Sequence, residues 1–285
     1  MNDRNQTYGA SFREGCPYVP AEGRAMERIT TPAGITVSYE KSGSGPPLVL
    51  VHGSLTNHMT AWMLVKPLLE PQFTIYAVAR RGRGETSATE GHSIPEEGAD
   101  VAAVIEAIGQ PVYLLGHSFG AQVSLAAAAL IPDRIRKLIL YEPPLPSAIT
   151  QDVLVRYQQQ AAAGDYDGMI DDFFRNGIQV PGSEVDLIRS TPVWELIVGD
   201  GPASIREWPA LLNYQFDADS FGTLNLPVLL LTGSESPPDI YATEALVAAL
   251  PNARIAVLAG QGHGATVTAP KDFAEIVSSF LGEPS

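Results

Sequence analysis

The run Gly116-His117-Ser118-Phe119-Gly120 is the sharpest chemical feature of the chain. It follows an apolar stretch at 112–115 and opens an alanine-rich stretch of helical character at 119–130. A serine with glycine two residues before and two after can sit on a tight strand-to-helix turn, because small residues there let the backbone close. Such a serine projects from the carboxyl edge of a sheet, and the helix behind it presents its positive end to developing negative charge. A serine hydroxyl is a weak nucleophile and needs a base within hydrogen-bond reach. Five histidines could serve: His52, His58, His92, His117 and His263. His52 and His117 lie inside turn motifs and read as loop-orienting groups, and His58 and His92 are assigned to surface loops. His263 lies in Gly260-Gln261-Gly262-His263-Gly264, a glycine-rich loop that can present a side chain without burying it in a helix. It is the candidate base for Ser118.

Those residues need a scaffold, and the apolar pattern supplies one. Runs rich in β-formers recur at 48–51, 73–78, 112–115, 138–141, 227–232 and 253–258. They are unbroken rather than alternating, as in strands covered on both faces. Helical stretches at 60–69, 93–108, 119–130, 241–250 and 270–281 alternate with them, which predicts an α/β fold with a mostly parallel sheet flanked by helices. Two shorter β-like runs, 27–31 and 35–41, flank Pro32-Ala33-Gly34 and predict a hairpin. Residues 143–223 carry no strong strand signal but hold Phe173, Phe174, Trp194, Trp208, Tyr214 and Phe216. They read as a helical lid inserted after the sixth strand, its aromatics serving either as an apolar pocket over Ser118 or as packing against the body. The expected organisation is an N-terminal arm at 1–26, a core formed by 27–142 with 224–285, and the lid at 143–223.

Composition narrows the partners. The 285 residues are 45% hydrophobic and 18% charged, a globular rather than a disordered balance. Lys and Arg number 18 against 32 Asp and Glu, a formal charge of −14, and this acidity disfavours nucleic acid and anionic lipid as partners. Cys16 is the single cysteine, so neither an internal disulfide nor a cysteine-based zinc site can form. No apolar stretch nears the roughly 20 residues of a membrane helix, and MNDRNQTYGASFREG lacks the apolar centre of a secretory signal. A cytoplasmic location is expected, with a homo-oligomer left open. No histidine or carboxylate cluster shows metal-ligand spacing, and no dinucleotide G-x-G-x-x-G follows the first strand, so neither metal nor cofactor is expected.

With these motifs in place, residues 27–282 resemble the α/β-hydrolase superfamily of serine hydrolases. Val51-His52-Gly53-Ser54 stands where the superfamily has its oxyanion-hole turn, and Arg81-Gly82-Arg83-Gly84 resembles its R-G-x-G turn. The loop around His263 stands where these enzymes carry their histidine. The resemblance implies Ser118 as nucleophile, His263 as base, and the backbone N–H groups of Ser54 and Phe119 as the oxyanion hole. Two positions depart from the pattern. Ala79 replaces an aspartate at the start of the R-G-x-G turn, and Arg80-Arg81-Gly82-Arg83 reads as a structural turn rather than a phosphate site. The usual acid position is Ser236, which cannot serve as a carboxylate. Glu142, Glu235 and Asp239 remain as candidates. Glu142 is favoured because a minority of the superfamily, similar to the zearalenone lactone hydrolases, carries a glutamate 24 positions after the nucleophile.

The reading that follows is a serine hydrolase acting on a small, apolar carboxylic ester or lactone through an acyl-enzyme. A serine at the nucleophile position argues against the dehalogenases and epoxide hydrolases of the superfamily, which use aspartate there. A carbon–carbon bond hydrolase, a cofactor-free perhydrolase and a non-catalytic ligand-binding receptor stay open, since a shared fold and motif do not define a substrate.

Overall fold

A computed structural model describes residues 26–89 and 91–284. The unbroken apolar runs become the inner strands of one sheet of eight: β1 (Met26–Thr30), β2 (Thr36–Gly43), β3 (Pro47–Val51), β4 (Thr74–Ala79), β5 (Val112–His117), β6 (Ile135–Tyr141), β7 (Val228–Gly233) and β8 (Ala253–Leu258). The order across the sheet is β1-β2-β4-β3-β5-β6-β7-β8. β2 runs antiparallel to both β1 and β4, and the strands from β4 to β8 are parallel neighbours. Strand β5, which leads into Ser118, therefore lies near the middle, between β3 and β6.

Side chains alternate across the sheet with period two, and both faces are apolar. Along β3, Leu48 and Leu50 pack with Trp62, Phe273 and Val277 on one face. Val49 and Val51 pack with Val104, Phe119 and Val123 on the other. The second face is covered by α1 (Ile94–Ile108) and α2 (Phe119–Leu130). A capping box sets the start of α1: Ser93 accepts from Glu96 N–H, and the Glu96 carboxylate accepts from Ser93 N–H.

The stretch at 60–69, expected as one helix, divides into a 3₁₀ turn at Thr60–Trp62 and a short helix at Lys66–Leu69. Pro67 explains the break: it has no N–H to donate to the preceding turn and is tolerated only in a first helical turn. The expected N-terminal arm lies outside the described residues apart from Met26, which opens β1.

Between β6 and β7 the chain forms α3 (Gln151–Ala162), α4 (Tyr166–Asp172), α5 (Gly182–Arg189), α6 (Val193–Gly199) and α7 (Gly201–Leu212). These helices build a core of their own around Tyr157, Phe173, Trp194 and Trp208. Phe173 and Trp208 stack with centroids 4.6 Å apart and planes 15° from parallel. Of the two readings of the lid aromatics, packing describes Phe173, Trp194 and Trp208. Leu55 and Tyr241 belong to the same cluster, so the lid is welded to two loops at the carboxyl edge of the sheet. Truncating Trp208, which is 1% exposed, removes the centre of that core. Trp208→Ala is expected to lose about 3–5 kcal/mol, read as a lowered midpoint in urea unfolding followed by far-UV circular dichroism.

Candidate active site

Ser118 stands between β5 and α2 with φ 55° and ψ −126°, a conformation that an L-residue adopts only under constraint. Its N–H donates to Tyr141 O at 2.8 Å. A Cβ at Gly116 would collide with Gly120 O and Ser124 Oγ, and one at Gly120 would collide with the carbonyls of Val51 and His52. The turn closes only because both positions are glycine. Gly53 plays the same part next door: a Cβ there would lie 2.9 Å from Ser118 Cβ, so the loop after β3 lies directly against the serine.

Among the three acid candidates, the fold brings Glu142 to His263. Glu142 ends β6, is fully buried, and has φ 47°. Its Oε2 meets His263 Nδ1 at 2.6 Å, while Oε1 accepts from Gly233 N–H at 2.8 Å and from Thr232 Oγ1 at 3.2 Å. Burial alone would raise this carboxyl. The bond and charge of His263, the Gly233 N–H and a hydrogen bond from Ser236 overcome that and hold it below its ordinary value of 4.5. Ser236, at the position where relatives more often carry the acid, thus serves as a donor to Glu142. Glu235 and Asp239 are exposed, and Glu235 is engaged by Ser234.

Two tyrosines that the sequence did not single out steady His263, together with His117, which it read as loop-orienting. Tyr241 stacks on the imidazole at 5.4 Å, with its hydroxyl 3.1 Å from Nδ1. Tyr141 donates to Gly262 O and accepts from Ala265 N–H, gripping the loop from the sheet. His117 lies 3.2 Å from His263 O through Nε2, and the two ring centroids are 4.7 Å apart. Since His117 adjoins Ser118, this contact ties the histidine loop to the turn that carries the serine. No hydrogen bond joins Ser118 to His263 among the described residues, and catalytic hydrogen bonds often tighten only in the substrate complex. The two tyrosines carry no motif, and only the folded arrangement of loops reveals them.

The turn after β3 is held mainly by Arg80. Its Nη1 donates to His52 O at 3.3 Å and Gly53 O at 3.1 Å, and its N–H donates to His52 Nε2 at 3.1 Å. That last bond assigns the His52 proton to Nδ1, which lies 2.8 Å from Gly53 O. The Arg80 guanidinium also sits 4.2 Å from the centre of the Phe119 ring. Among the described residues the N–H groups of Ser54 and Phe119 meet no acceptor.

The arginine turn binds buried carboxylates rather than surface ones. Arg80 pairs with Glu97 at 2.9 Å and with Glu207 of α7 at 2.5 Å, Arg83 pairs with Glu207 at 2.8 Å, and Arg81 with Asp100 at 2.6 Å. His92, expected on the surface, has a buried side chain 2.9 Å from Glu97, and His58 is only 4% exposed. Both differ from the surface expectation because a loop packed against the body has the same composition as one facing water. His92, Glu97 and Glu207 bring ligand-type atoms within 4.8 Å of one another, a cluster that sequence spacing did not reveal. Arg80 and Arg83 already neutralise its carboxylates, so it reads as an ion-pair network. A cleft of 890 Å³ between the start of α1 and helices α3 and α7 is lined by neither Ser118 nor His263, so volume does not mark the chemistry here.

The site thus sets a serine on a strained turn and pairs an imidazole with a buried carboxylate. The alpha/beta hydrolase family profile matches residues 48–276, and the chain belongs to that family. It is 29% identical over 263 residues to a pimeloyl-[acyl-carrier protein] methyl ester esterase of Aeromonas hydrophila, covering 87% of this chain and 100% of that one. It is 26% identical over 265 residues to a putative carbamate hydrolase of a Caulobacter strain, covering 85% and 95%. Among solved structures, an α/β hydrolase from Sphaerobacter thermophilus superposes with a TM-score of 0.74 at 29% identity, covering 90% of this chain and all of that one. Among the described residues no helix is long and apolar enough to cross a membrane.

The Glu142 environment has a consequence for stability. A carboxylate whose folded pKa is depressed stabilises the fold above its unfolded value, and that contribution is lost as pH falls through the folded value. Glu142→Gln removes the titration. The unfolding free energy of the wild type is expected to fall more steeply than that of the variant as the pH drops below 4.5 and through the depressed folded value. Urea titrations across that range measure both slopes, and parallel slopes would contradict a charged Glu142.

Proposed function

We propose that this protein is a serine hydrolase that cleaves a small carboxylic ester or lactone through an acyl-enzyme, with Ser118, His263 and Glu142 as its triad. The observation that carries the reading is the 2.6 Å contact between His263 Nδ1 and buried Glu142, made beside a serine on a strained, glycine-bracketed turn. Pairing Nδ1 with a carboxylate keeps its proton there and leaves Nε2 as the basic nitrogen. As Ser118 Oγ attacks the carbonyl carbon, His263 Nε2 takes the hydroxyl proton, and Glu142 stabilises the imidazolium without itself being protonated.

The carbonyl oxygen becomes an oxyanion, for which the unpartnered N–H groups of Ser54 and Phe119 are the proposed donors. Fixed donors of this kind are worth about 3–4 kcal/mol each in the transition state. On collapse, His263 returns the proton to the leaving alkoxide. Water, deprotonated by the same imidazole, then attacks the acyl carbon, and expulsion of Ser118 releases the acid. The names of the relatives, a methyl ester esterase and a carbamate hydrolase, support acyl transfer from an ester-like carbonyl. A cytoplasmic setting and a soluble small-molecule substrate fit the acidic composition and remain part of the proposal.

Steady-state hydrolysis of nitrophenyl esters from acetyl to decanoyl tests the reading. Wild type is expected to turn over, Ser118→Ala to lose at least about 1,000-fold in kcat, and Glu142→Gln to lose about 100- to 10,000-fold while staying folded. Inert wild type on esters and on simple lactones would overturn the assignment. A near-wild-type rate for Glu142→Gln would return the acid role to Glu235 or Asp239.

A further inference from the structure

Glu184 is a carboxylate that the three-residue mechanism does not use. It belongs to the lid, in the first turn of α5, yet it reaches the loop that carries His263. Its Oε2 accepts from Gly262 N–H at 3.0 Å and its Oε1 from Gly264 N–H at 2.6 Å. The two N–H groups bracket the histidine. The fit is close: a Cβ at Gly262 would stand 2.7 Å from Oε2, and one at Gly264 would stand 2.6 Å from Oε1. The two glycines therefore make room for this carboxylate. The loop is thus held from below by the Tyr141 hydroxyl and from the lid by Glu184.

The electrostatics around His263 come from a short set of groups. Glu142 at the end of β6 touches Nδ1, Tyr241 stacks on the ring, His117 reaches the carbonyl, Tyr141 holds the loop, and Glu184 faces it from α5. Burial pushes both tyrosines well up and His117 well down, so all three are neutral near pH 7. The carboxylates are left as the charges on the imidazole. Burial raises the Glu184 carboxyl, opposed by its two backbone donors.

We propose that Glu184 is a positioning residue for the reaction: a lid-borne carboxylate that sets the His263 loop through two backbone N–H bonds and favours the imidazolium that forms as Ser118 attacks. The proposal rests on the reading of Ser118 and His263 as nucleophile and base, so its test needs a signal that separates the two. A fluorophosphonate probe provides one. Ser118 Oγ attacks phosphorus, fluoride leaves, His263 takes the proton, and the labelling rate against pH reports the base.

Wild type is expected to label, with an acid limb on its rate profile. Glu184→Gln is expected to label about tenfold more slowly, with the limb moved to lower pH, because a negative charge near the imidazolium is gone. Glu184→Asp keeps the charge but is too short to span both N–H groups, so its rate falls while its limb stays near wild type. Asp186→Asn, on the same helix and paired with Arg175 at the surface, is expected to match wild type in both. An unlabelled wild type would overturn the hydrolase reading itself. Labelling of wild type with Glu184→Gln unchanged in rate and limb, or with Glu184→Asp shifted as far as Glu184→Gln, would overturn the role of Glu184 alone.

Discussion

The contact between Glu142 and His263 is the constraint around which this end of the molecule is arranged. A carboxylate buried without partners costs several kcal/mol and would take up a proton instead. Glu142 keeps its charge because both oxygens are occupied, one by the imidazole and one by Gly233 N–H and Thr232. Those donors come from β7, the strand beside β6, so the sheet itself solvates the charge. The strained backbone at Glu142 and at Ser118 is tolerated for a related reason. Each sits where a strand ends against a neighbour: Ser118 N–H bonds Tyr141 O, and Glu142 N–H bonds Leu231 O. Two left-handed residues on adjacent strand ends are thereby locked by the ladder that continues below them.

A second group of buried charges performs the corresponding task on the other side of Ser118. Arg80 holds the carbonyls of His52 and Gly53, so the N–H groups of that turn point the opposite way, and its own charge is met by Glu97 and Glu207. Glu207 lies on α7, as does Ser204, which accepts from Leu55 N–H at 2.7 Å. The lid therefore reaches the turn after β3 through Ser204, the arginines after β4 through Glu207, and the histidine loop through Glu184. Buried ion pairs add little net stability, yet losing one partner leaves an uncompensated charge worth about 3–5 kcal/mol. A lid joined to the core through such pairs has a defined seat, which a purely apolar interface would specify less sharply.

The scaffold was legible from the sequence because its signal is local. Unbroken apolar runs mark the strands between covering helices, and a glycine two residues to either side of a serine marks a turn that only glycine can make. Ser118 and His263 could be singled out because each sits on a glycine-rich turn or loop, whereas Glu142 was one of three acid candidates and was favoured by the resemblance. The groups that tie them together could not. Tyr241, Tyr141 and Glu184 belong to different elements, and their roles depend on which loops the fold stacks at one edge. His58 and His92 show the same limit, since nothing local distinguishes a loop packed against the body from one in water. Phe173, Trp194 and Trp208 were visible as aromatic residues, but whether they faced a substrate or one another was decided by helix packing alone.

The position of the proposed acid, Glu142, is explained by the sheet geometry. β6 and β7 are parallel neighbours, with Tyr141 opposite Leu231, and adjacent strands lie about 4.8 Å apart. A carboxylate at the end of β6 is therefore one strand closer to Ser118 than one in the loop after β7, yet it can aim at the same imidazole nitrogen. What changes is the duty of the β7 loop. Released from supplying the charge, it supplies donors to it: Gly233 N–H, Thr232, Ser236 and, a few residues on, the Tyr241 hydroxyl beside Nδ1. A serine at position 236 is then the replacement that keeps a polar group facing the carboxylate without adding a second charge beside it. Two carboxylates side by side on one imidazole would raise each other's pKa and blur which of them held the proton. Moving the charge to β6 and leaving only donors on β7 avoids that conflict.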